Sequence, residues 1–170
     1  MNQRLLSSVD RGRSIASITR FREQRHIEWL GNLANWSHAL TLTMAPTATG
    51  HPPTLQEALR RCRLFLSRVN RRWYKKRGTK RGYRIASAAF FGEGAYGSHP
   101  HMHWVLEKPA GQSNEGFEAM LLEIGKTTVG LGQQIDIQRY YASGWLAYIA
   151  HHGFEGWQHS LTFAAKCPKH

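Results

Sequence analysis

Residues 84–108 read RIASAAFFGEGAYGSHPHMHWVLEK and carry the clearest strand signals in the chain. The first part, Arg84 to Gly92, is rich in Ala, Ile and Phe, which is typical of a buried strand. A loop containing Gly94 and Gly97 follows, and a second strand is predicted from His99 to Lys108. Two strands joined by a glycine-containing loop form a hairpin, so we expect an antiparallel pair at this point.

Hydrophobic periodicity predicts further elements on both sides of the hairpin. In chain order these are a short helix through Ile27, Leu30 and Leu33, a strand at 37–44, a helix at 54–77, a helix at 114–127, a strand at 133–140, a helix at 145–152 and a strand at 160–163. Thr54 and Glu57 have the spacing of a capping box at the start of the long helix. A hairpin between two crossover helices predicts an α+β fold of ferredoxin-like (RRM-like) βαββαβα layout, an antiparallel sheet with helices packed on one face.

The composition limits the class of protein. The chain has 170 residues, of which 41% are hydrophobic, and this is enough for one compact domain. No apolar run approaches the roughly 20 residues that cross a bilayer, so no membrane association is expected. Cys62 and Cys167 are too few for a disulfide framework, which favours a reducing, cytoplasmic setting. We assign residues 1–36 to a basic N-terminal arm and short helix, 37–153 to the domain and 154–170 to a C-terminal tail.

Positive charge is concentrated in one part of the chain. The net charge is +12, and twelve Lys and Arg with no acidic residue lie between Arg60 and Arg84. Such a segment, with aromatic residues interleaved, is typical of contact with nucleic acid, because cations neutralise phosphates and rings stack on unpaired bases. Trp73 is interpreted as a core residue, and Tyr74 and Tyr83 as stacking residues. The predicted DNA-contacting residues are Arg68, Arg71, Arg72, Lys75, Lys76, Arg77, Lys80, Arg81 and Tyr83.

Two histidines in the second hairpin strand form a candidate metal site. His101 and His103 are two residues apart, so their side chains leave the strand on the same face, and Met102 points into the core. Glu93, at the end of the preceding strand, is the candidate third ligand. Two imidazoles and a carboxylate suit Mn²⁺ or Mg²⁺, but also Zn²⁺, Fe²⁺ or Co²⁺. The alternative is a run of strand histidines that binds no metal.

A third signal is the predicted helix that contains Tyr148, His151 and His152. Spacings of three and four residues place these side chains on one side of a helix. A phenol beside imidazoles is a candidate nucleophile, and the imidazoles are candidates to orient it or to take its proton. The alternative is a surface tyrosine that packs against Trp145.

Together the three signals resemble the HUH endonucleases, and within them the single-tyrosine rolling-circle replication initiators (Rep proteins). Leu40-Thr41-Leu42-Thr43 matches the first family motif. Gly92-Glu93-Gly94 and His101-Met102-His103 match the second. Tyr148 to Gly153 matches the third, except that His151 stands where the family has Lys. The resemblance covers about residues 37–153.

The resemblance implies an activity and a set of partners. Family membership implies that Tyr148 attacks a phosphodiester in single-stranded DNA and forms a 5′-phosphotyrosine link, with Mn²⁺ or Mg²⁺ on His101, His103 and Glu93. It implies sequence-specific nicking and joining at an origin during rolling-circle replication. A host helicase and host replication machinery would act beside the protein in the bacterial cytoplasm, on a plasmid, phage or other mobile genetic element.

Two other classes remain open from the sequence. One is an HUH transposase that acts on single-stranded DNA hairpins. The other is a non-catalytic nucleic-acid-binding module on a ferredoxin-like sheet, which binds bases through aromatic residues on its strands. A metal-dependent hydrolase of small substrates is the weakest alternative, because the basic segment would have no purpose.

Overall fold

The computed structural model describes residues 24–92, 100–140, 144–146 and 161–163. Within these ranges the chain forms α1 (24–33), β1 (His38–Met44), α2 (Leu55–Lys80), β2 (Ser87–Gly92), β3 (His101–Leu106), α3 (Asn114–Thr127), β4 (Leu131–Arg139) and β5 (Leu161–Phe163). Residues 144–146 are also helical. The described strands make one antiparallel sheet in the order β4-β1-β3-β2-β5. The α+β class and the antiparallel sheet predicted from the sequence are therefore confirmed.

The predicted hairpin strands pair as expected, and β3 lies at the middle of the sheet. Ser87 lies opposite Leu106 and Gly92 opposite His101, while β1 pairs with the other edge of β3. β2 begins three residues later than predicted. The backbone N–H of Ile85 donates to Asn70 Oδ1 at 2.9 Å, so a side chain of α2 holds the chain where the sequence alone predicts a strand.

The long helix α2 begins as its capping box predicts and then changes direction. Thr54 and Glu57 exchange hydrogen bonds, with Thr54 N donating to Glu57 Oε2 at 2.8 Å and Glu57 N donating to Thr54 Oγ1 at 3.3 Å. At Lys75 the backbone has φ 58° and ψ 175°, a region that is almost reserved for glycine, and the helix kinks there. The helix continues to Lys80, so the basic residues after Lys75 follow a different axis from those before it.

The main core lies between one face of the sheet and the helices α2 and α3. Leu40, Leu42, Met102 and Trp104 point to this face from β1 and β3 and are fully buried. Phe65, Leu66 and Val69 of α2 and Phe117, Leu121 and Ile124 of α3 complete it. The burial of Met102 between the two histidines confirms the predicted alternation of β3.

The opposite face of the sheet is partly covered as well, which differs from the one-faced layout expected from the sequence. Leu30 of α1, Trp36 and Leu146 are buried against Ala88 and Phe90 of β2 and Val105 of β3. The apolar residues of the short N-terminal helix therefore provide the cover of this second face. None of the helices in the described ranges has the length and apolar character needed to span a bilayer.

Candidate active site

The two predicted metal-binding histidines converge on the second face of the sheet. His101 Nε2 and His103 Nε2 are 3.0 Å apart, and the two rings meet edge-on with centroids 4.5 Å apart. Both side chains are half-buried. They precede Val105 in β3 and lie on the same face of the strand.

Thr41 of β1 and Gly92 of β2 lie beside the imidazoles and restrict their orientation. Thr41 lies opposite His103 in β1, and its Oγ1 is 3.0 Å from His103 Nδ1. A hydroxyl both donates and accepts, so Thr41 satisfies Nδ1 in either tautomer of His103 and restrains the orientation of its ring. Gly92 lies opposite His101 in β2, and the His101 ring occupies the space that a side chain on residue 92 would fill.

The pair has the separation that a divalent cation requires of two neighbouring ligands. Two nitrogens at about 2.1 Å from an octahedral ion, on adjacent positions, are about 3.0 Å apart. His101 Nε2 and His103 Nε2 show this distance. Two imidazole nitrogens this close cannot both be protonated, so they share either one proton or a cation. The distance between the two nitrogens is thus compatible with a shared proton and with a shared divalent cation.

The described residues supply two of the three ligands that the sequence predicts. Glu93, the predicted third ligand, and His99 lie outside the described residues. Asp136 lies on the same face but pairs with Thr41, so β1 separates it from His103, and its Oδ2 accepts from Gln138 Nε2 at 2.9 Å. Within the described ranges no three His, Cys, Asp or Glu residues come together as a metal site.

Trp145 links the histidine pair to the last predicted helix. Its ring meets the His103 ring edge-on with centroids 5.5 Å apart. It also packs against the apolar residues on the second face of the sheet, the cluster that contains Leu30 and Phe90. Tyr148, His151 and His152 follow Trp145 in the chain and lie outside the described residues. Their predicted roles stay predictions.

Most of the predicted DNA-contacting side chains are exposed, and two of them already have partners. Arg68 donates to the Thr127 carbonyl and to the hydroxyls of Thr127 and Thr128, at the end of α3. Arg72 lies 3.6 Å from Glu123 in an exposed ion pair. The exposed basic residues are Arg71, Arg72, Lys75, Lys76, Arg77, Lys80 and Arg81.

The aromatic residues of the basic segment differ from the expectation. Tyr74, interpreted as a stacking residue, packs against the main core and contacts the Tyr83 ring at 6.0 Å. Trp73, interpreted as a core residue, is only half-buried. The interpretation of Trp73 as a core residue was therefore wrong, and the stacking role of Tyr74 stays a prediction. Tyr83 is half-buried and keeps part of its ring accessible.

The structure does not bring the basic segment and the histidine pair together. α2 packs on the main-core face of the sheet, whereas His101 and His103 are on the other face. Lys80 and Arg81 also precede the Ser87 end of β2, while His101 faces Gly92 at the far end. Six residues of strand, roughly 17 Å, separate these ends. Phosphate contacts from the basic segment would therefore be made several nucleotides away from the histidines.

Comparisons of the chain with protein-family models, with curated proteins and with solved structures found no match. The evidence for its function is consequently the geometry of the site and the three sequence motifs.

Proposed function

We propose that the chain is a metal-dependent endonuclease that nicks and rejoins single-stranded DNA through Tyr148, as a rolling-circle initiator of the HUH type. The observation that carries the proposal is the convergence of His101 Nε2 and His103 Nε2, with Thr41 behind His103. Imidazoles that merely pack on a strand need neither this convergence nor a second hydrogen-bond partner that restrains the ring.

The strand order supports the ferredoxin-like layout of this class. β1, α2 and β2 form one crossover and β3, α3 and β4 form another, and the resulting order β4-β1-β3-β2 is that of a split βαβ fold. The Leu-Thr-Leu-Thr strand is β1, and it lies directly beside the histidine strand. The first two motifs of the resemblance are therefore neighbours in space.

His101, His103 and Glu93 would hold Mn²⁺ or Mg²⁺. The cation, when bound, polarises the scissile phosphodiester and offsets the negative charge that develops during the attack. Thr41, hydrogen-bonded to Nδ1, would hold the His103 ring with Nε2 directed at His101. Trp145, packed on His103, excludes water from one side of the imidazole.

The cleavage step is a transesterification on phosphorus. Tyr148 Oη forms a bond to the phosphorus, and the bond between phosphorus and the 3′-oxygen breaks. The phenolic proton passes to His151 or His152, and the departing 3′-oxygen takes up a proton. Because the tyrosyl ester replaces a phosphodiester, a 3′-hydroxyl can later displace Tyr148 and reseal the strand.

The basic segment contacts the DNA at a distance from the cleavage point. Its exposed Lys and Arg side chains neutralise phosphates on the origin, either in the single strand or in flanking DNA that a host helicase has yet to unwind. The substrate is thus an origin strand, and the partners are the host helicase and replication machinery in a bacterial cytoplasm.

The test is the formation of a covalent protein–DNA adduct. The protein is incubated with a pool of single-stranded oligonucleotides and Mn²⁺, with and without chelator, and run on a denaturing gel. Tyr148→Phe should abolish the adduct, whereas the matched control Tyr74→Phe, on the main-core face of the sheet, should retain it. Cleavage without an adduct would remove Tyr148 from its role. Binding that yields neither, with a library long enough to contain an origin, would favour the non-catalytic module.

A further inference from the structure

A cavity lies on the side of the sheet that α1 covers. Its volume is about 620 Å³, which falls within the range of small-ligand sites. It is lined by α1, by the aromatic residues Trp36 and Tyr140, and by Gly144 and Leu146.

Trp145 connects this cavity to the candidate active site. It lies between the two wall residues Gly144 and Leu146, and its ring contacts His103. The cavity and the histidines are therefore linked through a single side chain, within reach of one short DNA strand.

The wall formed by α1 is polar in a regular pattern. Gln24, Glu28 and Asn32 are four residues apart and line the cavity along one side of the helix. Gln24 Nε2 donates to Glu28 Oε1 at 3.1 Å, which orients the carboxylate. Amide and carboxylate side chains are those that read the edges of bases, and a carboxylate in particular accepts from the amino group of cytosine.

Charge determines which part of a nucleotide can enter. The chain carries only 11 Asp and Glu against 23 Lys and Arg, yet Glu28 lines the cavity and none of its described lining residues is Lys or Arg. A carboxylate repels a phosphate and attracts an amino group. The half-buried ring of Tyr140 suits the flat face of a base, since aromatic rings stack on unpaired bases.

We propose that the cavity between α1 and Gly144–Leu146 binds an unpaired nucleobase that carries an exocyclic amino group, and that Glu28 accepts from this group. The proposal rests on the proposed function, because it takes the ligand to be the DNA strand held at His101 and His103. It makes the cavity a base-specificity site next to the scissile phosphate.

The experiment compares two single-stranded 12-mers, dC12 and dT12, in the presence of chelator so that cleavage does not interfere. The two pyrimidines differ at the position where cytosine has an amino group and thymine a carbonyl oxygen. Fluorescence anisotropy should show that the wild-type chain binds dC12 about fivefold more tightly than dT12, the discrimination expected of one good base contact. Glu28→Ala should reduce this ratio to near one without weakening dT12.

Two control variants separate the cavity from other effects. Glu123→Ala removes an exposed carboxylate from α3 and should keep the preference for dC12. Arg77→Ala removes a phosphate contact and should weaken both oligonucleotides by the same factor. Equal binding of dC12 and dT12 by the wild type, or a preference that survives Glu28→Ala, would overturn the proposal.

The binding comparison and the adduct assay test the cavity and the proposed function separately. A preference that depends on Glu28 in a chain that forms no Tyr148 adduct supports the cavity and overturns the nicking reaction. An adduct in a chain without any base preference supports the nicking reaction and overturns the cavity. Failure to bind either oligonucleotide overturns the cavity proposal alone, because the nicking reaction is decided by the adduct with an origin strand.

Discussion

Replacing Gly92 with Ala is expected to disrupt the histidine pair while leaving the fold intact. A Cβ on residue 92 would stand 2.6 Å from His101 Nε2 and 3.1 Å from two carbons of the same ring, whereas ordinary contact begins near 3.4 Å. The ring must therefore move by about 0.8 Å, which exceeds the ~0.5 Å tolerance of a preorganised site. The imidazole can make this movement by rotation, but it then leaves the 3.0 Å contact with His103.

The effects on metal binding and on stability have different sizes. Loss of the positioning that holds a ligand costs about 10- to 100-fold in metal affinity, so Mn²⁺ affinity should fall by that factor. Gly92 is not among the described residues with positive φ, so Ala fits its backbone, and Ala in a strand is favoured over Gly by about 0.5–1 kcal/mol. The free energy of unfolding should consequently stay within about 1 kcal/mol of the wild-type value.

The assay is isothermal titration of the purified chain with Mn²⁺, combined with denaturant unfolding. Gly31→Ala is the matched control, because a Cβ at residue 31 would have no atom within 4 Å. The control should bind Mn²⁺ as the wild type does. Unchanged Mn²⁺ affinity in Gly92→Ala would refute the placement of the cation at His101, and so would the absence of Mn²⁺ binding in the wild type.

Three further predictions concern single hydrogen bonds and one buried group. Thr41→Val removes the hydroxyl beside His103 and should lower Mn²⁺ affinity about tenfold. Thr43→Val, whose hydroxyl donates to a backbone carbonyl instead, should not, and equal losses would contradict a positioning role for the Thr41 hydroxyl. Burial lowers the pKa of His38 below its usual value of 6.5, so the unfolded chain binds more protons and the free energy of unfolding should fall as the pH drops below 6.5. Urea unfolding at pH 7.5 and 5.5 should show a smaller decrease in the free energy of unfolding for His38→Gln than for the wild type. Some decrease should remain, because burial also lowers the pKa of His26. The same decrease in variant and wild type would contradict the role of His38. Thr54→Ala removes the cap of α2 and should cost about 1 kcal/mol in the same assay, with Gln56→Ala as a control without loss; equal effects of the two substitutions would show that the cap contributes nothing.

The sequence predicted the elements whose boundaries depend on nearby residues. The helix expected at 114–127 has these bounds in the structure, and the capping box at Thr54 forms as its spacing requires. Alternation placed Met102 in the core and His101 and His103 on one face. These features depend on side-chain period and on contacts three or four residues apart, which the sequence contains directly.

Features that depend on distant contacts were missed. The helix kinks at a lysine, Lys75, and not at a glycine or proline, so the residue type at this position did not predict the kink. β4 begins two residues earlier than predicted, because a register shift between Leu42 and Met44 lets Leu131 pair with Met44. Packing of α1 on the second face of the sheet required the tertiary position of Leu30, which periodicity alone does not fix.

The same distinction applies to the candidate site. The histidine spacing was visible in the sequence, whereas the roles of Thr41 and Gly92 became visible only through the register of β1 and β2 against β3. Thr41 was noted as part of the Leu-Thr-Leu-Thr motif, and that motif was the one signal that pointed to it. The separation of the basic segment from the histidines was not predictable, since charge clustering in sequence gives no information about faces of a sheet.

The most direct measurement is identification of the residue that carries DNA after reaction with an origin strand and Mn²⁺. The adduct is digested with protease and nuclease, and the modified peptide is sequenced by mass spectrometry. The account predicts a nucleotide joined through its 5′-phosphate to Tyr148. A nucleotide on another residue, attachment through a 3′-phosphate, or cleaved DNA with no modified peptide would contradict it.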